Sequence, residues 1–381
     1  MILADNESRN MTYQETLFFV AQCLTITLEK KNRPLIEQKL QKQNVDWDKV
    51  VQLSTSHYVL PAMYCNLKRV DFLKYLPEEL VCYMSYITQL NRARNLQIIS
   101  QAKALSQLLR AHHISPIFLK GTGNLLEGLY EDIADRMIGD IDLIVSHEEY
   151  PTAIKILLHN GYKSVTNQKY FFPYIKHYPR LVNSTQIAAV EIHKELILEK
   201  YAPEFNYDII QKETQKRNDI TILSFEHQLV LSIATYQIND HGYHYKNIAL
   251  RNAYDVFLLS KKVAAKRAIS KFKNLNHPLN CFLASCYEVF RELSSLVYEP
   301  TKETQEYLMI FNDLLLNIKK SNSRRKFIKK QIDMKWRFNI LYKSLRQKEY
   351  RIWLFKRIID PNWQRKKLIQ LGLKKNNKFV A

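Results

Sequence analysis

The chain carries no glycine before Gly121, and then places four of its seven (Gly121, Gly123, Gly128 and Gly139) in one short stretch. Glycine is what a backbone needs where it turns sharply or must approach a ligand closely. A long glycine-free lead therefore reads as helices, and the stretch that follows as the part built from tight turns. Leucine-rich runs such as Leu96-Gln-Ile-Ile-Ser-Gln-Ala-Lys-Ala-Leu-Ser-Gln-Leu-Leu109 recur at helical spacing, with breaks expected at Pro61 and at Leu76-Pro77.

After residue 108 the pattern changes in kind. Short apolar runs, Ile117-Phe-Leu119 and Ile141-Asp-Leu-Ile-Val145, alternate with a helical run from Tyr150 to His159 that Gly161 closes. A β-rich stretch is expected from Tyr162 through Phe171-Phe172 and Arg180-Leu-Val182 to Ala188–His193. From about residue 216 the pattern reads as helical to the end. The expected organisation is thus an N-terminal helical domain over 1–108, an α/β domain with a small mixed sheet over 109–215, and a basic helical domain over 216–381.

Composition bounds the reading further. A chain of 381 residues, 46% hydrophobic and 12% aromatic, has ample material for a folded core of two or three structural units. No run approaches the roughly 18 apolar residues of a membrane-spanning helix. The N-terminus lacks the basic-then-apolar pattern of a signal peptide, so a cytoplasmic protein is expected. The five cysteines (Cys23, Cys65, Cys82, Cys281, Cys286) form no Cys-x-x-Cys pair and are expected as buried free thiols. A formal charge of +20 fits either a polyanionic partner such as RNA or a lysine-rich solvated surface. The last third concentrates it, from Arg324, Arg325 and Lys326 to Lys378, with Tyr350, Trp353 and Trp363 interleaved as candidate base-stacking groups. These aromatics follow no evident amphipathic face.

The chemistry-bearing residues lie in the glycine-rich middle. Asp140 and Asp142, two apart at the start of a strand, project to one face and converge. Two such carboxylates offer the hard oxygen ligands that Mg²⁺ prefers alongside substrate phosphates. Solvated strand-end acids are the plain alternative. Glu191, in Ala189-Val-Glu-Ile-His193, sits in a second β-prone run and shares a face with His193. A third carboxylate beside the pair completes a site for one or two metals and can activate an acceptor hydroxyl. As an alternative, Glu191 is an exposed edge-strand acid. Lys120-Gly121-Thr122-Gly123 joins a strand to a helix, where backbone amides and the helix N-terminus favour phosphate. Arg136 is a second candidate phosphate contact, and Gly139 leads into the acidic strand. His193 is a candidate for contacting the acceptor or orienting Glu191. His112-His113 and His241/His244 lack a third ligand at zinc-like spacing.

Together, Phe118-Leu-Lys-Gly-Thr-Gly123, Tyr130-Glu-Asp-Ile-Ala-Asp-Arg136, Gly139-Asp-Ile-Asp-Leu-Ile-Val145 and Val190-Glu-Ile-His193 resemble the uncharacterised nucleotidyltransferase family of the DNA polymerase β-like superfamily. The resemblance is specific over 117–193 and looser over about 40–260. It departs at one point, since the superfamily usually has Gly-Ser where this chain has Lys120-Gly121-Thr122. Leu250-Arg-Asn-Ala-Tyr-Asp255 is similar to the family's downstream Asp-bearing helix.

The resemblance implies an α+β fold, a polymerase-β-like core with a small mixed sheet between helical domains. It implies Mg²⁺ (or Mn²⁺) held by Asp140, Asp142 and Glu191, and transfer of NMP from an NTP, ATP among them, with pyrophosphate leaving. Lys120, Gly121, Thr122, Gly123, Arg136 and Gly139 would bind the nucleotide. The acceptor stays open among an RNA or tRNA end, a protein hydroxyl and a small molecule. A non-catalytic RNA- or partner-binding protein on a degenerate fold is the alternative function.

Overall fold

The computed structural model describes residues 10–166 and 170–370. Two compact units emerge, one of residues 1–165 with 176–323, the other of 166–175 with 324–381. Among the described residues, no helix is long and apolar enough to cross a membrane.

The larger unit opens with five helices: α1 (Tyr13–Thr25), α2 (Arg33–Gln41), α3 (Trp47–Ser56), α4 (Leu60–Arg69) and α5 (Glu78–Arg110). Thr12 caps α1 reciprocally with Glu15, its hydroxyl accepting the Glu15 amide while its own amide donates to the Glu15 carboxylate. Pro61 enters at the first turn of α4 and Pro77 caps α5, where the missing N–H costs nothing. Along α5, Met84, Thr88, Asn91, Asn95, Ile98, Ala102, Leu105 and Leu109 are buried at alternating steps of four and three. Met84, Ile98, Leu105 and Leu109 are each worth about 1.5–3 kcal/mol when fully buried. The stripe turns polar midway for a reason. Asn91 donates to the Ala134 carbonyl, and Asn95 to those of Ile133 and Arg136, fixing the loop that leads into the acidic strand.

The sheet follows: β1 (Ile117–Phe118), α6 (Lys120–Glu127), β2 (Asp140–Ile144), α7 (Tyr150–His159), β3 (Lys163–Ser164), β4 (Leu181–Val182), β5 (Ala189–His193), a short α8 (Tyr207–Ile210), β6 (Thr214–Arg217) and β7 (Ile220–Leu223). Its order is β3-β4-β5-β2-β1-β7-β6. β2 runs parallel to β5 and antiparallel to β1, which in turn pairs in parallel with β7. The fold is α+β around a mixed sheet, as the resemblance implied.

Helices α9 (Phe225–Ala234), α10 (Gly242–Tyr245), α11 (Leu250–Ser260), α12 (Ala265–Ser270), α13 (Asn276–Val289) and α14 (Lys302–Leu316) complete the larger unit. The second unit is formed on α15 (Ile318–Arg346) from Arg324 onward, α16 (Lys348–Ile358) and α17 (Pro361–Gln370).

Four sequence expectations need correction. The region from 216 is not helical throughout, because Ile220-Thr-Ile-Leu223 is a strand and Asn218-Asp219, both at positive φ, make the hairpin turn before it. Phe171-Phe172 is not strand; Phe172 instead packs its ring against Trp336, Tyr350 and Trp353. Tyr350 and Trp353 are therefore 4% and 5% exposed, core residues of the second unit rather than open stacking platforms. Four cysteines are buried free thiols, but Cys82 is exposed because it falls off the buried stripe of α5. Lys378, the far end of the basic stretch, lies outside the described residues.

Candidate active site

The acidic strand is placed by its neighbours. β2 pairs with β5 so that Asp142 faces Glu191 directly, Asp140 faces Ala189 and Ile144 faces His193. β5 is an interior strand, so Glu191 is not an edge residue; it is 6% exposed, and Asp142 is 8% exposed. Burying two carboxylates side by side is costly unless cations answer them.

Two side chains do so. Lys120 Nζ lies 2.6 Å from Asp142 Oδ1. Arg180, just before β4, spans the other two acids, with Nη2 2.7 Å from Asp140 Oδ2 and Nε 2.8 Å from Glu191 Oε1. Its position follows from register, since the antiparallel pairing of Leu181 with Val190 puts Arg180 opposite Glu191. Burial alone would raise the Asp142 pKa; the Lys120 ammonium and the His193 hydrogen bond outweigh it and hold that carboxyl well below the usual range. Asp140 moves the other way, raised by burial and then by the negative charge of Glu191. Lys120 stays charged, because Asp142 more than offsets the desolvation that would lower it.

His193 joins the group. Its Nε2 lies 2.9 Å from Asp142 Oδ1, 3.3 Å from Lys120 Nζ and 3.8 Å from Glu191 Oε2. Burial and the nearby Lys120 charge lower its pKa, favouring the neutral ring. On the other side, Nδ1 lies 3.2 Å from the Glu195 carbonyl, which can only accept. Both ring nitrogens thus face acceptors, and a neutral ring has one N–H to share between them; the proton on Nε2 is the one that hydrogen-bonds Asp142 and helps hold that carboxyl down. One ligand atom each from Asp142, Glu191 and His193 falls within 4.8 Å of the others. The donor set of hard oxygens plus one imidazole suits a divalent cation. So does the presence of Lys120 and Arg180, two cations already resting on those oxygens. Asp140 reaches the cluster through Arg180.

The turn beside the site is tightly fixed. Lys120 adopts the left-handed backbone region at φ 52°, unusual for a side chain of its size. Gly123 is obligatory, since a Cβ there would sit 2.8 Å from the Phe118 carbonyl oxygen. Thr122 turns its hydroxyl to the Asp140 carbonyl at 3.1 Å, tying the turn to β2. Gly121 packs closely under Ile138 and Arg136, while the Gly139 carbonyl accepts from Arg94.

Arg136 is not brought to the acids. Its guanidinium is buried against Asp255 on α11, at 2.9 and 3.1 Å from Nε and 2.8 Å from Nη2, and Nη1 donates to the Met137 carbonyl. Tyr130 adds a hydrogen bond to the same carboxylate at 2.7 Å. Sequence reasoning passed over Arg180 as a site residue, and also His177, whose Nε2 is 3.8 Å from Glu191 Oε2 and whose ring lies beside that of His193. Only strand register reveals them.

A family description, uncharacterised nucleotidyltransferase, matches residues 43–290, well over half of the chain. The chain belongs to the uncharacterised nucleotidyltransferase family. It is a nucleotidyltransferase enzyme, and NMP transfer from an NTP substrate is the chemistry this family name carries. No curated protein matches this nucleotidyltransferase. A crystal structure of a proposed nucleotidyltransferase from H. pylori is 16% identical to it, covering 61% of this chain and 96% of its own, with a TM-score of 0.27.

Proposed function

We propose that the protein transfers NMP from an NTP to an acceptor hydroxyl in a Mg²⁺-dependent reaction. The observation that carries this is the pairing of Asp142 with Glu191 across two parallel strands, with Asp140 two residues earlier on the same strand and His193 alongside. Asp140, Asp142 and Glu191, with His193 as a nitrogen donor, would hold the metal. Bound there, a divalent cation supplies charge neutralisation on the phosphates. Lys120 and Arg180, now on the carboxylates, would pass to the triphosphate oxygens, where a cation pair steadies developing charge. Glu191 would accept the proton of the acceptor hydroxyl as the hydroxyl oxygen bonds to the α-phosphorus. The α–β phosphoanhydride bond breaks in the same displacement, and pyrophosphate leaves with the electron pair. The amides of Gly121 and Thr122 would face the phosphates, while the Gly123 amide is spent on the Leu119 carbonyl, and Arg136 supports the turn through Asp255.

The test is to incubate the protein with each labelled NTP, Mg²⁺ and separate pools of RNA, protein and small metabolites. Label should pass to one pool with release of pyrophosphate, and Asp140→Ala/Asp142→Ala should abolish both transfer and metal-dependent NTP binding. Equal, metal-independent NTP binding by the two proteins would overturn the proposal. Which pool carries the label separates an RNA end, a protein hydroxyl and a small-molecule acceptor.

A further inference from the structure

The charge of the chain is not evenly spread. Between residues 324 and 381 there are 19 Lys and Arg against three Asp and Glu, so 16 of the net +20 lie there. The same segment exposes large apolar side chains on α15. Phe327, Met334, Phe338, Leu341 and Leu345 are 60%, 55%, 63%, 52% and 78% exposed. Their steps of seven, four, three and four put all five along one line of the helix, about 27 Å long at 1.5 Å per residue. On the opposite side Ile340 is buried and Trp336 meets Phe172. The helix thus has two apolar stripes. That is why no amphipathic face stood out in its sequence: the inner and outer stripes cancel.

The borders of the outer stripe are basic on both sides. At 100° per residue, Lys330 and Arg337 flank one edge and Lys335 and Arg346 the other, all four exposed. Exposed apolar rows of this size on a folded protein mark a contact surface. A second copy of α15 would bring like charges together along both edges. RNA answers the charge, but saturated side chains such as Met334, Leu341 and Leu345 offer bases nothing to stack on. A bilayer surface bearing anionic headgroups answers both, with hydrocarbon under the stripe and phosphates beside the basic borders. We infer that α15 is an interfacial helix that lays its outer stripe on an anionic lipid surface.

Co-sedimentation of the full-length protein with vesicles tests this. The protein should pellet with mixed phosphatidylcholine–phosphatidylglycerol vesicles, fail to pellet with phosphatidylcholine alone, and come off as salt rises. Phe338→Glu/Leu345→Glu should weaken vesicle binding by about tenfold or more, with an unchanged circular-dichroism melt, since both side chains are exposed. A conservative Phe338→Leu variant should retain binding. Failure of the wild type to pellet with anionic vesicles, or equal binding by the double Glu variant, would overturn the inference. So would a dimer seen by ultracentrifugation that the double Glu variant dissolves, or single-stranded RNA binding that depends on the stripe while vesicles do not compete. NTP binding is measured alongside and is independent of the result, so failure here leaves the transfer reaction standing.

Discussion

Arg136 lays its guanidinium across the carboxylate of Asp255, a residue 119 positions later, with Nη2 2.8 Å from Oδ2 and both side chains closed off from solvent. Tyr130 donates to the same acid. Removing one partner leaves an uncompensated buried charge, a loss of about 3–5 kcal/mol. Asp255→Ala and Arg136→Ala should each lower the unfolding free energy from denaturant titration by that much, and the double variant by less than their sum. Two small, additive losses would show that the pair bears little on stability.

Glu191 comes from a different strand than the aspartates and is answered by Arg180, and its proposed task is the acceptor proton. Glu191→Gln keeps the shape and the hydrogen-bonding oxygen while removing the base. Turnover should fall by about 10²–10⁴-fold with NTP affinity nearly unchanged. A large loss of NTP affinity with turnover intact would assign Glu191 to binding.

Arg180 holds two carboxylates at 2.7 and 2.8 Å while more than half of its side chain remains exposed. It therefore competes with any cation for Asp140 and Glu191. In Arg180→Ala, Mn²⁺ binding without nucleotide should tighten by about threefold or more, while binding of Mn²⁺–NTP weakens, as expected when a charge partner is removed from the resting acids and from the triphosphate alike. Titration followed by Mn²⁺ paramagnetic resonance reads both. Weaker Mn²⁺ binding in the nucleotide-free variant would contradict the competition.

His57 offers a pH readout away from the site. Its Nδ1 accepts the Leu250 amide at the start of α11, and burial pushes its pKa down to about 4 from 6.5. A protonated Nδ1 cannot accept, so the unfolded chain takes the proton first as pH falls. The contribution of His57 is complete above about pH 6.5 and is lost progressively as pH falls to the folded value near 4, a loss of about 3 kcal/mol. His193, His227 and His277, also lowered by burial, add to the fall in the same direction. The difference between wild type and His57→Asn, which keeps an acceptor, isolates the effect. Parallel melting curves for the two proteins across that pH range would show that His57 does not contribute.

The site was legible where local spacing decides it. Asp140/Asp142 and Glu191/His193 alternate on strands, and alternation is a property of three or four consecutive residues. Arg180 and the Arg136–Asp255 pair were not legible, because they depend on which strands and helices meet. Arg136 carries the same residue type a phosphate contact would, and only Asp255 on α11 decides its use. The strand β7 had a local signal in its β-branched run and Asn218-Asp219 turn, but the helical pattern that starts at Phe225 masked it. Tyr350 and Trp353 were misread because aromatics among lysines look exposed until a partner such as Phe172 is found for them.

β1 sits between β2 and β7, and the two neighbours are made at very different times. β2 follows within some two dozen residues, whereas β7 begins at Ile220. During synthesis one flank of β1 is therefore closed early, and the other stays a bare row of amides and carbonyls for the emergence of roughly eighty more residues. Such an edge is a template for mispairing with another nascent chain. The sheet is therefore finished only once the chain has reached Leu223, and its order of closure runs from β2 outward, not along the sequence.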